Sequence, residues 1–219
     1  GHTISNLAIT SSDNTGLFAE LSSNATVTGV ILKDCTIENT YSSSYGVGAL
    51  VGKISGSNAV ISNCGVLGGS VSSSSSSTAY IGGLIGYVYG DTTINNCFST
   101  ATVTGNNSYS SCAGGLVGRT YAETAISDCY TRGTVSSNYS SSSNVGGLIG
   151  YAYVSYSSSS VTVTNCYTAA SVEKGYPVAY VSGSNIAFEN CYYDSVQSAG
   201  NKDNAQSGIT AKTTEELKG

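Results

Sequence analysis

A six-residue pattern of apolar residues and glycines recurs along the chain. Clear copies occupy residues 47–52, 81–86, 113–118 and 145–150, so the pattern returns every 32 to 34 residues. The copy Ile81-Gly82-Gly83-Leu84-Ile85-Gly86 shows its form, and weaker copies lie at residues 16–19 and 178–183. A fixed period of this length is typical of repeat proteins whose units stack on one another. Since leucine occupies the fourth position of every clear copy, we expect Leu50, Leu84, Leu116 and Leu148 to point into the core.

A second pattern alternates with the first and contains most of the cysteines. It reads apolar, polar, Asn or Asp, then Cys, as in Ile94-Asn95-Asn96-Cys97. Asn and Asp accept the left-handed backbone conformation more readily than other non-glycine residues, which suits a repeated corner. The pattern therefore predicts corners at Asn6, Asp34, Asn63, Asn96, Asp128, Asn165 and Asn190. Leu7 replaces cysteine in the first copy.

The two patterns together predict an all-β fold in which each period forms one coil. A third apolar patch, such as residues 102–104, follows several cysteines, so we expect three short strands per period. Stacked coils about 4.8 Å apart explain why one register recurs. The prediction is a parallel β-helix of about six or seven coils, right-handed by the general crossover preference. Two columns of stacked residues follow: Ile4, Leu32, Ile61, Ile94, Ile126, Val163 and Phe188, and Leu7, Cys35, Cys64, Cys97, Cys129, Cys166 and Cys191.

The repeats end near residue 193. We assign residues 1–193 to the β-helix and residues 194–219 to an irregular C-terminal cap or linker. Within the latter, Thr213-Thr214-Glu215-Glu216 resembles the capping box that begins a short helix. Serine-rich runs at residues 41–45, 72–78, 106–111 and 136–144 precede the glycine-rich pattern, which predicts variable loops along one edge of the solenoid.

Composition excludes several kinds of partner. Only 10% of the residues are charged, the formal net charge is −5, and the chain has eight Lys plus Arg without a basic cluster. Nucleic acids and anionic membrane surfaces are therefore unsuitable partners. No apolar run approaches the roughly 20 residues of a membrane-spanning helix, so we expect no direct membrane insertion. We also expect no cofactor.

The cysteines admit three interpretations. A zinc site is disfavoured because the chain has no Cys-x-x-Cys spacing. Disulfides between stacked neighbours are compatible with the expected Cα distances. Buried free thiols are favoured, because Leu7 can replace a packing residue but not a disulfide partner. Cys112 lies off the cysteine column beside a serine-rich run, so it is expected to be the exposed thiol.

Tyrosines form two further columns whose role the sequence leaves open. One column follows the cysteines and contains Phe98, Tyr130, Tyr167 and Tyr192; the other contains Tyr89, Tyr121 and Tyr153. Stacked aromatic rings stabilise neighbouring coils. Exposed rings beside Ser and Asn would also contact sugar rings or a protein partner. Tyr89, Tyr121 and Tyr153 are thus the candidate ligand contacts.

The sequence shows no clear set of catalytic side chains. His2 is the single histidine and lies at the terminus, so a triad or zinc site built on it is not expected. Asp34 and Asp128 occupy corner positions. Asp91, Glu123 and Glu173 fall near expected loops without an evident partner. A paired-carboxylate site for glycan cleavage stays an alternative, because β-helix folds host glycosidases and lyases.

Several motifs resemble those of GLUG-motif repeat proteins: Gly-Gly-Leu-Val-Gly at residues 114–118, Asn-Cys-Tyr at residues 165–167 and 190–192, and Gly208-Ile209-Thr210. That family occurs in large secreted or surface proteins of bacteria, including adhesin-like proteins and metallopeptidases that cleave immunoglobulin A. The resemblance implies a non-catalytic β-helix module of a larger polypeptide, extracellular or at the cell surface. Its expected role is structural and adhesive, with host or environmental glycans or proteins as partners. A carbohydrate-binding module and a glycan-cleaving β-helix enzyme are the alternatives.

Overall fold

The chain folds into a parallel β-solenoid. A computed structural model describes residues 1–40, 45–74, 77–106, 111–138, 144–155, 157–198 and 206–217. Every strand pairing in these ranges is parallel, and neighbouring strands come from successive coils. The prediction of an all-β parallel solenoid is confirmed. About five turns are present, fewer than the expected six or seven.

Within the described residues, 28 short strands form the solenoid wall. In chain order they are β1 (His2–Ser5), β2 (Ala8–Ser11), β3 (Phe18–Leu21), β4 (Thr26–Thr28), β5 (Val30–Lys33), β6 (Thr36–Asn39), β7 (Tyr45–Gly48), β8 (Val51–Ile54), β9 (Ala59–Ser62), β10 (Gly65–Leu67), β11 (Ser70–Ser73), β12 (Ala79–Gly82), β13 (Ile85–Val88) and β14 (Thr92–Asn95). They continue with β15 (Phe98–Ser99), β16 (Thr102–Gly105), β17 (Ser111–Gly114), β18 (Val117–Thr120), β19 (Thr124–Ser127), β20 (Tyr130–Ser137), β21 (Val145–Gly146), β22 (Ile149–Tyr153), β23 (Val161–Thr164), β24 (Tyr167–Val172), β25 (Ala179–Ser182), β26 (Ile186–Glu189), β27 (Cys191–Asp194) and β28 (Ile209–Lys212).

These strands stack into four sheets. Sheet A has 12 strands in two columns, which join because the longer strands β20 and β24 run through both. Sheet B contains β7, β12, β17 and β21. Sheet C contains β3, β8, β13, β18, β22 and β25, and sheet D contains β4, β9, β14, β19, β23 and β26. One full coil, from β8 to β12, crosses sheet C, sheet D, both columns of sheet A and sheet B. It thus contains five short strands, and the expectation of three is wrong.

The glycine-rich pattern is a corner and not one continuous wall strand. In the second copy, β12 ends at Gly82 and β13 begins at Ile85, so the chain bends at Gly83 and Leu84 between sheets B and C. Leu50, Leu84, Leu116 and Leu148 are at most 1% exposed. The prediction that these leucines point inward is confirmed.

The glycine before three of these leucines has a specific packing reason; the fourth, Leu50, follows Ala49. A Cβ on Gly83 would overlap the buried Ser99 side chain of sheet A and the carbonyl of Gly115 on the next coil. Gly115 and Gly147 meet Thr131 and Thr168 in the same way. Side chains of sheet A therefore occupy the space that a side chain on this corner would need.

All seven predicted Asn or Asp corners have left-handed backbone, with φ between 50° and 58°. Asn24 and Asn58 adopt the same conformation at another corner, with φ of 61° each. Side-chain amides link successive corners, since Asn165 Nδ2 donates to Asp128 Oδ1 at 3.2 Å and Asn190 Nδ2 donates to Asn165 Oδ1 at 3.3 Å. The predicted corner chemistry is confirmed.

Cys64, Cys97, Cys129, Cys166 and Cys191 line one column after these corners, as their strand registers require. Each thiol donates to the carbonyl two residues earlier, across the corner, at 3.1 to 3.4 Å. Cysteine thus packs as a small apolar residue and also bonds the backbone of the turn. All seven cysteines are free and buried.

Cys35 does not belong to this column, and its predicted position there is wrong. Strand β5 pairs with β10 so that Leu32 lies beside Val66, and Ser70 N donates to the Cys35 carbonyl at 2.8 Å. Cys35 therefore stacks on Leu7 and beside Gly69, in the second column of sheet A. Ile61 likewise stacks on Val27 and not on Leu32. The motif is shared, but its first two copies form a different corner of the coil.

The C-terminal segment adds regular structure to the solenoid. Strand β28 pairs in parallel with β27 and extends sheet A within the segment that was expected to be irregular. The predicted capping box forms, because Thr213 N donates to Glu216 Oε2 at 2.7 Å and Glu216 N donates to Thr213 Oγ1 at 3.3 Å. It closes a turn in place of the expected short helix. Of the serine-rich loops, residues 41–44, 75–76, 107–110 and 139–143 lie outside the described residues.

Candidate functional site

The outer face of sheet C carries a column of charged and aromatic side chains. Strand register aligns Glu20, Lys53, Tyr87, Arg119, Tyr151 and Tyr180 on successive coils. The next residue in the strands of four of these coils is buried, namely Ile54, Val88, Thr120 and Ala152. Alternation along the strand thus places the aromatic column on the outside of the solenoid.

The candidate contacts Tyr89, Tyr121 and Tyr153 form a parallel column beside it. The Tyr89 and Tyr121 rings stack with centroids 5.0 Å apart and an interplanar angle of 15°. Tyr121 and Tyr153 are 5.8 Å apart and tilted by 49°. Tyr89 is 44% exposed, so one face of this stack is open to solvent. The structure therefore brings the three predicted residues together.

Further aromatic residues extend the two columns into a continuous area. Tyr80 contacts Tyr87 at 4.5 Å between centroids, and Tyr176 contacts Tyr180 at 5.5 Å. We call the whole area the tyrosine–arginine surface; it comprises Tyr80, Tyr87, Tyr89, Arg119, Tyr121, Tyr151, Tyr153, Tyr176 and Tyr180.

Arg119 lies at the centre of this surface. Its guanidinium carbon is 5.0 to 5.7 Å from the ring centroids of Tyr80, Tyr87, Tyr121, Tyr151 and Tyr153. Its Nη1 donates to the Tyr80 hydroxyl at 2.8 Å. Cation–π contact with several rings replaces part of the hydration that the guanidinium loses. Arg119 thus binds the tyrosines of three successive coils to one another.

Sequence reasoning missed most of these residues, although a signal for them exists. Tyr87 and Tyr89, Arg119 and Tyr121, and Tyr151 and Tyr153 are each two positions apart, so each pair shares one face of an extended strand. Tyr80 and Tyr176 have no comparable signal, because the corner between sheets B and C brings them to the surface.

Cys112 lies beneath this surface and is buried. It is 2% exposed and pairs in register with Tyr80, so its predicted exposure is wrong. Burial raises the pKa of the Cys112 thiol to about 12, although nearby Arg119 lowers it. The thiol that the adjacent serine run suggested would be exposed is therefore shielded from solvent.

The other aromatic column packs differently. Phe98 and Tyr130 stack at 5.1 Å and 6°, and Tyr130 and Tyr167 stack at 5.3 Å and 7°. Tyr192 follows in register with Tyr167. Because the rings are nearly parallel, their faces cover one another and only their edges meet solvent. This column supports neighbouring coils and offers little flat surface to a ligand.

The acidic candidates are divided between two places. Asp91 and Glu123 lie on successive coils and line a groove of about 320 Å³ on sheet D, together with Asn58 and Thr93. Glu173 is exposed elsewhere, and His2 is exposed in β1. In the described ranges, no three His, Cys, Asp or Glu side chains converge as metal ligands would. The same ranges hold no helix with the length and apolar character of a membrane span.

Comparison with known proteins agrees with the repeat pattern. The model of the GLUG motif matches residues 77–104 and 109–136. This chain contains GLUG-motif repeats. No curated protein matches it in sequence. Among solved structures, the solenoid is similar to the crystal structure of a proposed immunoglobulin A1 protease from Bacteroides ovatus, with a TM-score of 0.68, 21% sequence identity, and coverage of 99% of this chain and 68% of that chain.

The two matched GLUG repeats carry the centre of the tyrosine–arginine surface. The first repeat contains Tyr80, Tyr87 and Tyr89, and the second contains Arg119 and Tyr121. Each GLUG corner fixes the start of a sheet C strand, and the aromatic residues follow that corner at fixed offsets. The repeat architecture therefore determines the spacing of the surface.

Proposed function

We propose that this chain is a non-catalytic β-solenoid module of a bacterial secreted or cell-surface protein and that it has an adhesive role. The observation that carries the proposal is the tyrosine–arginine surface, which gathers eight tyrosines and one arginine on sheet C and the adjoining corner with sheet B. Tyr and Arg are enriched among the residues that dominate binding energy at interfaces. GLUG repeats and a solenoid fold support the role of a module.

The surface is organised before a ligand arrives. Seven of its tyrosines belong to strands or follow them directly, and Tyr176 forms an isolated parallel bridge with Gly146. Each strand is hydrogen-bonded to neighbouring coils. Ring contacts of 4.5 to 6.4 Å restrict the side chains further. Side chains that are already ordered lose little conformational entropy on binding, which favours affinity.

More specifically, we propose that the ligand of this surface is a glycan. A tyrosine ring combines an apolar face with a polar hydroxyl, and sugar rings present the same combination of apolar faces and hydroxyl edges. Tyr89, with 44% of its surface exposed, offers the most open ring. Tyr121 is partly exposed beside Tyr89 and would contact the neighbouring sugar with the part of its ring that Tyr89 leaves uncovered.

Glycan-array binding by the wild type and two tyrosine variants tests this proposal. Tyr121→Ala should lose binding, because it removes the central ring of the exposed column. Tyr130→Ala is the matched control, since Tyr130 occupies the centre of the column on sheet A; its binding should persist. Unchanged binding by Tyr121→Ala would count against the tyrosine–arginine surface as the adhesive site.

A glycan-cleaving activity is the competing candidate, and the groove beside Asp91 and Glu123 is the observation in its favour. Two carboxyl groups that flank a glycosidic bond can act as acid and nucleophile or base. Analysis of products from plant and host polysaccharides tests it. Turnover that disappears in Glu123→Gln would replace the adhesive role with a catalytic one. The likeness to the Bacteroides ovatus protein is one of fold and does not transfer peptidase chemistry.

A further inference from the structure

Arg119 has no acidic partner in the described part of the chain. Its side chain makes one hydrogen bond, to Tyr80, and forms no ion pair there. Its Nε is buried and bonds no acceptor within the same residues. A guanidinium has five N–H donors in a planar fork that matches a carboxylate in bidentate geometry. Most of these donors are therefore unused, while the residue as a whole remains partly exposed.

The centre of the surface is positively charged, although the chain carries a net charge of −5. Burial raises the pKa of Tyr87, so its hydroxyl stays neutral at physiological pH and cannot neutralise Arg119. Lys53 adds a second cation 5.4 Å from the Tyr89 ring. Glu20 is its acidic neighbour, and that pair is 4.0 Å apart and partly exposed, so it is weak.

We propose that the ligand of this surface is an acidic glycan, and that Arg119 binds a sugar carboxylate while adjacent rings lie against Tyr89 and Tyr121. This inference rests on the proposed function and adds the chemical class of the ligand. A carboxylate supplies the acceptors that Arg119 lacks. The guanidinium group is weakly hydrated, so an arginine that is partly desolvated among aromatic rings binds a carboxylate more strongly than an arginine fully exposed to water does. Uronic acids and sialic acids share this chemistry.

Four oligosaccharides separate the charge from the sugar ring. Trigalacturonic acid and its full methyl ester have the same sugar rings but differ in the charge of their carboxyl groups, and sialyllactose and its methyl ester make the same comparison for the second source of the carboxylate. By calorimetric titration, the wild type should bind at least one acidic member roughly 10- to 100-fold more tightly than its neutral partner, as expected for hydrogen bonds to a charged group. The preferred acidic member identifies a uronic or a sialic acid ligand.

Two arginine variants locate the charge preference. Arg119→Gln should lose the preference for the acidic member. Arg132→Gln is the control, because Arg132 is exposed and donates to Tyr167 on sheet A at 3.3 Å; the preference should persist in it. Circular dichroism checks that both variants are folded. If Arg119→Gln does not fold, salt dependence of the wild type decides: binding of the acidic member should weaken with salt, whereas binding of the neutral member should not.

The outcomes separate this inference from the proposed function. Equal affinity for acidic and neutral partners, or equal loss in both arginine variants, would overturn the acidic-glycan inference. Loss of neutral-glycan binding in Tyr121→Ala would then still support adhesion through the tyrosines. Wild-type protein that binds neither these sugars nor the glycan array would overturn both.

Discussion

At the scale of single residues, the Asn or Asp at each corner and the cysteine that usually follows it stabilise the turn. Asn and Asp accept φ values near 50°, which most L-residues avoid because Cβ approaches the following carbonyl. Cysteine follows six of them, and five of these thiols donate to the carbonyl two residues earlier, so a small buried side chain also stabilises the turn. Leucine can fill the volume, as at Leu7, but it cannot donate that hydrogen bond.

Asn96 tests the corner conformation, because its φ is 50°. Asn96→Ala should lower the free energy of unfolding by roughly 1 kcal/mol, since alanine is strained in the left-handed region. Asn96→Gly should leave it near the wild-type value, because glycine has no Cβ. Equilibrium denaturation measures both. Equal stability of the two variants would show that the backbone conformation contributes nothing at this corner.

The thiols should be inert in the native protein. Burial raises the Cys112 pKa from 9.0 to about 12, so the reactive thiolate is scarce at pH 8. All seven cysteines are at most 2% exposed, so a thiol reagent at pH 8 cannot reach them and should label none until denaturant is added. Because the folded state retains this proton, the free energy of unfolding should also fall as the pH rises from 9 towards about 12. Rapid native labelling mapped to Cys112 would contradict its burial.

At the scale of elements, the GLUG corner joins two sheets through a glycine and a leucine. The leucine fills the interior, while the glycine leaves room for a hydroxyl of sheet A on the opposite side. Thr131 Oγ1 donates to the Gly147 carbonyl at 2.7 Å, and the Thr131 side chain also lies against Gly115, one coil before Gly147. The corner therefore couples neighbouring coils as well as neighbouring sheets.

Leu116 reports on this corner because it is fully buried. Leu116→Ala should lower the free energy of unfolding by about 2–5 kcal/mol, through lost burial and the cavity left behind. Leu116→Asp should prevent folding, since the carboxylate would lack a partner in the interior. Leu67→Ala is the matched control, because Leu67 is 46% exposed. Thermal and chemical denaturation compare the variants, and a fully stable Leu116→Asp would contradict the assigned orientation.

At the scale of the whole molecule, each coil contacts mainly the coils directly above and below it. Stability in such an array is close to a sum of coil and interface terms. The first coil has fewer buried side chains than the others, and its strand β1 is exposed along its whole length. The large, fully buried side chains concentrate in the middle coils. Local opening should therefore begin at the first coil.

Hydrogen exchange of equivalent amides tests this gradient. Phe18 N donates to the Leu50 carbonyl at 2.9 Å, and Ile85 N donates to the Leu116 carbonyl at 3.0 Å, so both amides are hydrogen-bonded within sheet C. Phe18 is 38% exposed and Ile85 is 0% exposed. We expect the Phe18 amide to exchange faster by local unfolding. Equal protection would indicate that the solenoid opens as a single unit.

Much of the fold follows from the sequence because stacking makes identical positions equivalent. The period, the buried leucines and the left-handed corners all depend on local backbone chemistry, which each repeat contains. The number of strands per coil does not follow from the sequence, because most strands are only three to five residues long and show too little periodicity. The sequence also does not reveal the register of the first two corners, since the same motif pattern at Asp34 and at Asn63 forms different corners of the coil.

For the candidate site, the sequence by itself determined the column of Tyr89, Tyr121 and Tyr153, because coil spacing repeats along the chain. Only the tertiary structure decided that Arg119 lies among five tyrosine rings and that Cys112 lies buried beneath them. Both results depend on how the GLUG corner turns sheet B against sheet C. Contacts across a corner join residues with unrelated sequence offsets, so the fold must form before they exist.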